Sequence, residues 1–527
     1  MQSSVVCRIF LAGRRDVLHG FLIAAVAVVF SLSVEAIAFP RASLRRPLAA
    51  IVLHAAAFGV LAGGCFAVTA RPLFSVCMVL VLIALLVIIS NAKYESLREP
   101  FVFTDLSLFS QVFSHPRLYL PFLGVGKILV VLVGATAVVT GFVLEQPAPQ
   151  TLRVAAALIA LCCLPVCLAL PRFLHITLEP ISDQRRFGFF ATFMAYLVNG
   201  LGRAEQQAFV SATGAGPFSS GQPDAGPDVI VIQSESYFDA RRLGRCVVPD
   251  PYENFDRAKE DAFEYGRLAV PAWGANTMRS EFAMLTGLSP ATLGYARFYP
   301  YRYVRRACAS LAGWFRRGGY RTVAVHPYYA DFFGRRRAFR CMQFDEFLDI
   351  RHFGNAVRAG PYVGDDAVAD ALIALLKKPD YRPLFAFAIT MENHGPLHLE
   401  SVAAGESAGK HTLGDSARWR DLTAYLRHVE NADRMLGKLM DYLRKRERST
   451  VLCLYGDHVP ALGAIFDALG REPIDTDYLI WRNFGDDFGK RRDIPVENLG
   501  SAIQRAQLHE NCIGAGSPNV TKQMSAQ

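Results

Sequence analysis

Val229–Ser236 reads VIVIQSES: a short, continuously apolar strand that stops at Gln233 and is followed at once by Glu235. Three more stretches repeat the theme. TVAVH ends in His326, LFAFAIT leads into MENHGP with His394, and TVLCLYG leads into Asp457 and His458. Between them lie helical patterns. Ser280–Gly287 is one, and Arg306–Arg317, closed by Gly318–Gly319, is a second. Asp365–Lys378 opens with two acids and closes with two lysines, as the macrodipole favours. Ala417–Lys445 is a long one. Continuous apolar strands separated by helices predict an α/β domain whose central sheet is mostly parallel and covered on both faces. In such sheets ligands gather at the carboxyl ends of the strands, where these acids and histidines fall.

Upstream the chain is of another kind. It has 527 residues, 52% of them hydrophobic, which is too long for one domain and too apolar for an ordinary soluble protein. Five apolar blocks approach the roughly 20 residues that a membrane helix needs: Leu18–Phe39, Pro47–Ala70, Leu73–Ala92, Val125–Leu144 and Leu152–Leu170. The first is too long for a signal-peptide core and further spans follow it. Arg8, Arg14 and Arg15 precede it while Arg41, Arg45 and Arg46 follow, so charge bias does not orient the bundle. Five spans with a cytoplasmic N-terminus put everything after Leu170 outside the cytoplasm. The loop Asn91–Gly126 mixes aromatics and acids and is expected along the membrane surface, and Arg186–Leu201 as an interfacial helix. The Gly/Pro/Ser-rich Ser211–Asp228 reads as a flexible linker. The expected organisation is a membrane domain over 1–205, a linker over 206–227, a catalytic domain over 228–500 and a disordered tail over 501–527.

Net charge is +9, and its densest runs, Tyr301–Arg306 and Gly334–Arg340, suit a solvated or membrane-facing surface. No nucleic-acid module is recognisable, so no nucleic-acid partner is expected. Six of the eleven cysteines lie in the apolar N-terminal part, and none of the others forms a CxxC pair that would suggest zinc.

The chemistry centres on PAWGANTMRSEFAMLTGLSP, Pro271–Pro290. Thr277 there stands at the start of a helix, where backbone N–H groups and the dipole favour an anion such as phosphate. Glu235, His326, His394, Asp457 and His458 all lie just after expected strand ends, and Glu and Asp oxygens with a His nitrogen suit a borderline divalent ion, Mn²⁺ or Zn²⁺, better than Ca²⁺. The Thr277 oxygen completes a four-ligand site, and a metal there would make its hydroxyl a usable nucleophile.

The order of these motifs resembles that of the lipoteichoic acid synthases and related phosphoglycerol transferases, in the alkaline phosphatase/sulfatase superfamily. The resemblance covers Asp228 to about Phe484 and extends to the spans ahead of it. It rests on IQSES, NTMRSEF, YGDH, MENHGP and HPYYADFFGR. It implies Glu235, Thr277, Asp457 and His458 as metal ligands, with Thr277 the nucleophile. The metal would be one divalent ion, Mn²⁺ first, with Zn²⁺ or Mg²⁺ as alternatives. His394 would bind the substrate phosphate, and His326, Phe333 and Arg335 would surround the headgroup. The donor would be a phosphatidylglycerol-like phospholipid and the acceptor a hydroxyl of a glycan or polymer. The catalytic domain would lie on the extracytoplasmic side of a bacterial plasma membrane.

Two departures stand out. Phe333 occupies a position where the best-known members carry Trp, and Met278-Arg279 follows Thr277 in place of Ser-Asp. No C/S-x-P-x-R motif surrounds Thr277, which argues against sulfate ester hydrolysis. A hydrolase sharing the site, a phosphoethanolamine donor and a binding-only pseudoenzyme are the competing readings.

Overall fold

The computed structural model describes residues 25–108, 115–116, 125–224 and 226–508. It divides into two compact units: Met1–Phe209 with Gly294–Tyr299, and Val210–Leu293 with Pro300–Gln527.

The first unit is helical: α1 (Ala25–Glu35), α2 (Leu48–Thr69), α3 (Pro72–Leu97), α4 (Val125–Leu144), α5 (Gln150–Ala169) and α6 (Phe189–Gly200). Helices α2 and α3, and α5 with its continuation to Phe173, are long and apolar enough to cross a bilayer. On that ground the chain is a membrane protein. The fourth expected span forms α4, whose Leu129, Leu132 and Val133 are exposed. Of the first, residues 18–24 lie outside the described residues, and the helix stops at Glu35 instead of Phe39. Gly59 and Gly63, one turn apart on α2, let α5 approach closely: a Cβ on Gly63 would lie 2.8 Å from the Ala156 carbonyl.

A polar cluster is buried in this unit. Glu35 Oε2 accepts from Arg46 Nη1 at 2.9 Å and lies 3.0 Å from His54 Nδ1. The Ser31 hydroxyl is 2.7 Å from His54 Nε2 and donates to the Val28 carbonyl. Helix α6, the stretch read as interfacial, begins after Gly188, which breaks the run at φ +90°. It buries Phe189, Phe190, Phe193 and Tyr196.

The second unit is built on a nine-stranded sheet. Its strands are β1 (Asp228–Ser234), β2 (Glu264–Ala269), β3 (Arg321–Val325), β4 (Glu346–Leu348), β5 (Leu384–Ile389), β6 (Thr450–Gly456), β7 (Asp475–Arg482), β8 (Lys490–Arg491) and β9 (Ile494–Pro495). The order is β8-β2-β7-β6-β1-β5-β3-β4, with β9 also on β2. Strand β1 is central and parallel to β5 and β6, while β7 runs antiparallel to both β6 and β2. The sheet is therefore mostly parallel, and β1, β5 and β6 are buried along their whole length. That explains their unbroken apolar sequence.

Local chemistry moves several boundaries. The helix expected from Arg306 starts only at Leu311. Ser310 caps it, its Oγ accepting from the Gly313 N–H at 3.0 Å. The expected linker is ordered in part: a helix covers Arg203–Gly214, and Phe218 is fully buried. A helix over Leu499–Ala506 also replaces the start of the expected tail, because Leu499, Ala502, Ile503 and Ala506 bury one face of it. Residues 509–527 lie outside the described residues.

Candidate active site

The parallel strands deliver their polar ends to one place. Glu235 follows β1, and its backbone N–H donates to Thr390 Oγ1, just past β5, at 2.9 Å. Asp457 and His458 follow β6. Asp457 Oδ1 accepts from the N–H groups of Ser236 at 2.8 Å and His458 at 2.9 Å, so one carboxylate ties the two strand ends together. Gly456 is the last residue of β6, and a Cβ there would strike the carbonyl of Tyr237. Only glycine lets these two segments lie so close.

Thr277 caps a helix over Met278–Thr286 and is 5% exposed. Asn276 before it is left-handed at φ +68°, which turns the chain into the helix. Ser280, in the first turn, donates to the Asp457 carbonyl at 2.5 Å and anchors the helix to the end of β6.

Four predicted residues converge here. His458 Nε2 lies 3.4 Å from Glu235 Oε1, 3.4 Å from Asp457 Oδ2 and 3.5 Å from Thr277 Oγ1. Ligand atoms of Glu235, Asp457 and His458 all fall within 4.8 Å of one another, and all three side chains are buried. Asp457 Oδ2 has no hydrogen-bond partner. Burial and the neighbouring Glu235 charge push the Asp457 carboxyl up to about 7. His458 Nδ1 lies 3.0 Å from the Val459 carbonyl, which fixes the ring and turns Nε2 toward the carboxylates. Two carboxylates, an imidazole nitrogen and a hydroxyl around an orphaned buried oxygen fit the donor set of one divalent cation.

The expected headgroup residues are placed differently. Arg335 is 1% exposed, and its Nε and Nη2 grip Glu281 at 2.9–3.2 Å. Its Nη1 donates to His326 Nε2 at 3.2 Å, and His326 Nδ1 faces the Ile389 carbonyl at 3.3 Å. Burial and the Arg335 charge push the His326 pKa well below its ordinary value, so this ring is neutral. Phe333 is left-handed at φ +56° and stacks on Phe332, with the Arg335 guanidinium 5.3 Å from its ring. His394 is half-buried, bonded through Nδ1 to its neighbour's carbonyl at 2.8 Å and set edge-on to Tyr362. Burial would raise the Glu235 pKa, but the charges of His394 and His458 hold it down at about 2.

Reading by motif passed over Glu281, Gln233, Tyr301 and Tyr455. Glu281 has no exposure and accepts from Tyr301 OH at 2.5 Å and Gln233 Nε2 at 3.3 Å, and Tyr455 OH donates to Gln233 Oε1. The available signal was polarity out of place: a glutamine inside an apolar strand, and a glutamate on an apolar helix one turn past Thr277.

The chain is 29% identical over 494 residues to the capsular polysaccharide biosynthesis protein RkpI of Rhizobium meliloti, covering 85% of this chain and 86% of that one. It is 31% identical over 256 residues, 48% of this chain, to a candidate cyclic beta-1,2-glucan modification protein of the same organism, and spans only 39% of that protein's length. Among solved structures, the lipooligosaccharide phosphoethanolamine transferase EptA of Neisseria meningitidis shares the fold over 87% of each chain, at a TM-score of 0.55 and 13% identity. Residues 227–500, more than half of the chain, match the sulfatase family. The protein is a membrane enzyme of the sulfatase family, in the alkaline phosphatase/sulfatase superfamily.

Proposed function

We propose that the protein is a phosphotransferase that moves a phosphoglycerol-type headgroup from a phospholipid to a hydroxyl of a glycan, through a covalent intermediate on Thr277. The observation that carries this reading is the Thr277 hydroxyl, set at a helix start and 3.5 Å from His458 Nε2, beside two buried carboxylates. Glu235, Asp457 and His458, with the Thr277 oxygen, would hold one divalent cation, Mn²⁺ before Zn²⁺ or Mg²⁺. Such an ion lowers the pKa of a bound hydroxyl and stabilises negative charge on a phosphoryl oxygen.

Thr277 Oγ1 gives up its proton and bonds to the phosphorus of phosphatidylglycerol, while the bond to the diacylglycerol oxygen breaks and that oxygen takes up a proton. The acceptor hydroxyl then loses its proton and bonds to the phosphorus, and the bond to Thr277 Oγ1 breaks with return of the threonine hydroxyl proton. His394 and Arg335 hold the non-bridging oxygens, Arg335 by its guanidinium fork. The names of the two Rhizobium relatives, one for a capsular polysaccharide and one for a glucan, support a glycan acceptor. Residues 228–500 are the catalytic domain in this reading. It lies on the extracytoplasmic side of a bacterial plasma membrane, anchored by a multi-pass domain over 1–205 that keeps the site near its lipid donor.

The test is full-length protein in detergent with Mn²⁺ and labelled phosphatidylglycerol, assayed for diacylglycerol, with Thr277→Ala alongside. Release by wild type and none by the variant is the expected result. Equal release by Thr277→Ala rules out the nucleophile. Release from phosphatidylethanolamine alone replaces the donor, and release without an added glycan points to water as the acceptor.

A further inference from the structure

Glu281 sits where the site-bearing elements meet. Its backbone N–H closes the first helical turn onto the Thr277 carbonyl at 3.0 Å, so it shares a turn with the hydroxyl. Through Gln233 it reaches β1, which Glu235 follows. Gln233 in turn accepts from Tyr455 on β6, which Asp457 follows. Its two oxygens hold Arg335, at the start of the helix Arg335–Cys341, and Arg335 holds His326 at the end of β3.

A buried carboxylate bound to a buried guanidinium is a weak source of stability, since desolvating both charges offsets most of their attraction. It is a strong source of geometry. A guanidinium has five N–H donors. Glu281 takes one on Nε and one on Nη2, and His326 takes one on Nη1. One N–H on each Nη is left.

We propose that Glu281 is a positioning residue: it fixes the Arg335 guanidinium, and His326 through it, in one orientation relative to Thr277, from which Arg335 acts on the phosphoryl group. The inference rests on the phosphotransferase reading, because it assigns Arg335 a phosphate. Glu281 itself touches no substrate. Its effect is therefore transmitted by Arg335 and disappears when Arg335 is gone.

A double-mutant cycle reads this directly. Glu281→Gln, Arg335→Gln and the double variant are prepared as full-length protein in detergent with Mn²⁺. Binding of glycerol phosphate is measured by calorimetry, and kcat and KM with the lipid donor. Each single change is expected to weaken glycerol phosphate binding about tenfold, and the double variant to bind no more weakly than Arg335→Gln alone. Losses that multiply, or wild-type binding by Glu281→Gln, overturn the proposal, since a merely structural role would not vanish with Arg335. Should Glu281→Gln not fold, Tyr301→Phe removes one donor to Glu281 and leaves the ion pair. It is expected to weaken binding about twofold, and to have no effect in the Arg335→Gln background. An effect persisting in that background overturns the proposal. Failure of the underlying reading shows elsewhere, as diacylglycerol release by Thr277→Ala, and leaves the binding cycle unchanged.

Discussion

Both units bury a hydroxyl, an imidazole and carboxylate close together, in a row through both ring nitrogens in one and around the single nitrogen Nε2 in the other. In the membrane unit Ser31, His54 and Glu35 are spaced at 2.7 and 3.0 Å, and Arg46 neutralises the carboxylate. The Ser31 proton is committed to a backbone carbonyl. In the sheet unit the spacings from His458 to Thr277, Glu235 and Asp457 open to 3.4–3.5 Å and two carboxylates converge. A closed set is a structural joint. A loosened set with surplus negative charge is one that awaits something. Residue types alone would rank the first as the better triad, and geometry reverses the order.

The sharpest way to break this comparison is to remove each hydroxyl. Thr277→Ala should lower turnover by at least about a thousandfold, while Ser31→Ala should leave it within about twofold. Turnover that falls with Ser31 would assign chemistry to the wrong unit. Chelation should lower turnover by a hundredfold or more, on the order of what loss of an electrostatic stabiliser costs, and Mn²⁺ should restore it better than Ca²⁺. Equal rescue by Ca²⁺ would contradict the mixed oxygen–nitrogen donor set.

Glu35→Ala tests the joint itself. Leaving Arg46 and His54 without their carboxylate should destabilise the membrane unit by about 3–5 kcal/mol. This would be read as a lower unfolding temperature in detergent, with turnover per folded molecule unchanged.

A third buried imidazole gives the smallest and most graded effect. His428 faces Glu392 at 2.9 Å and Glu400 at 2.8 Å. Asn431 also donates to Glu392, and Asp365 is nearby. Burial alone would lower the His428 pKa, but the two carboxylates outweigh it and raise it to about 9. The folded value lies above the unfolded one of about 6.5, so the stabilisation is complete below about pH 6.5 and is lost as pH rises through 9. It amounts to about 3 kcal/mol at most. Denaturant titrations at pH 6.5 and 9.5 should differ accordingly, and His428→Gln should reduce the difference, leaving the part that comes from His458, which its carboxylate neighbours also raise to about 9.

Most of the sheet was legible because buried parallel strands leave no polar alternation: VIVIQ, LFAFAI and TVLCLYG could face water on neither side. The converging residues were legible because each directly follows such a strand or opens a helix. Burial of the predicted groups was not legible. HPYYADFFGR shows an arginine nine residues after a histidine, but nothing in it says that the arginine is held by a glutamate 54 positions earlier. Long-range pairing has no local signature. The start of the helix at Leu311 was missed because its cap, Ser310, lies inside an apparently continuous amphipathic pattern. The ordered part of the linker was missed because composition reports backbone freedom and not the burial of a single Phe218.

The glycine before Asp457 has a wider meaning than a tight turn. Because its α-carbon is packed against the Tyr237 carbonyl, the gap between the segments carrying Glu235 and Asp457 is set by backbone touching backbone. Substituting side chains around the site leaves the bite of the two carboxylates at a gauge that the backbone sets.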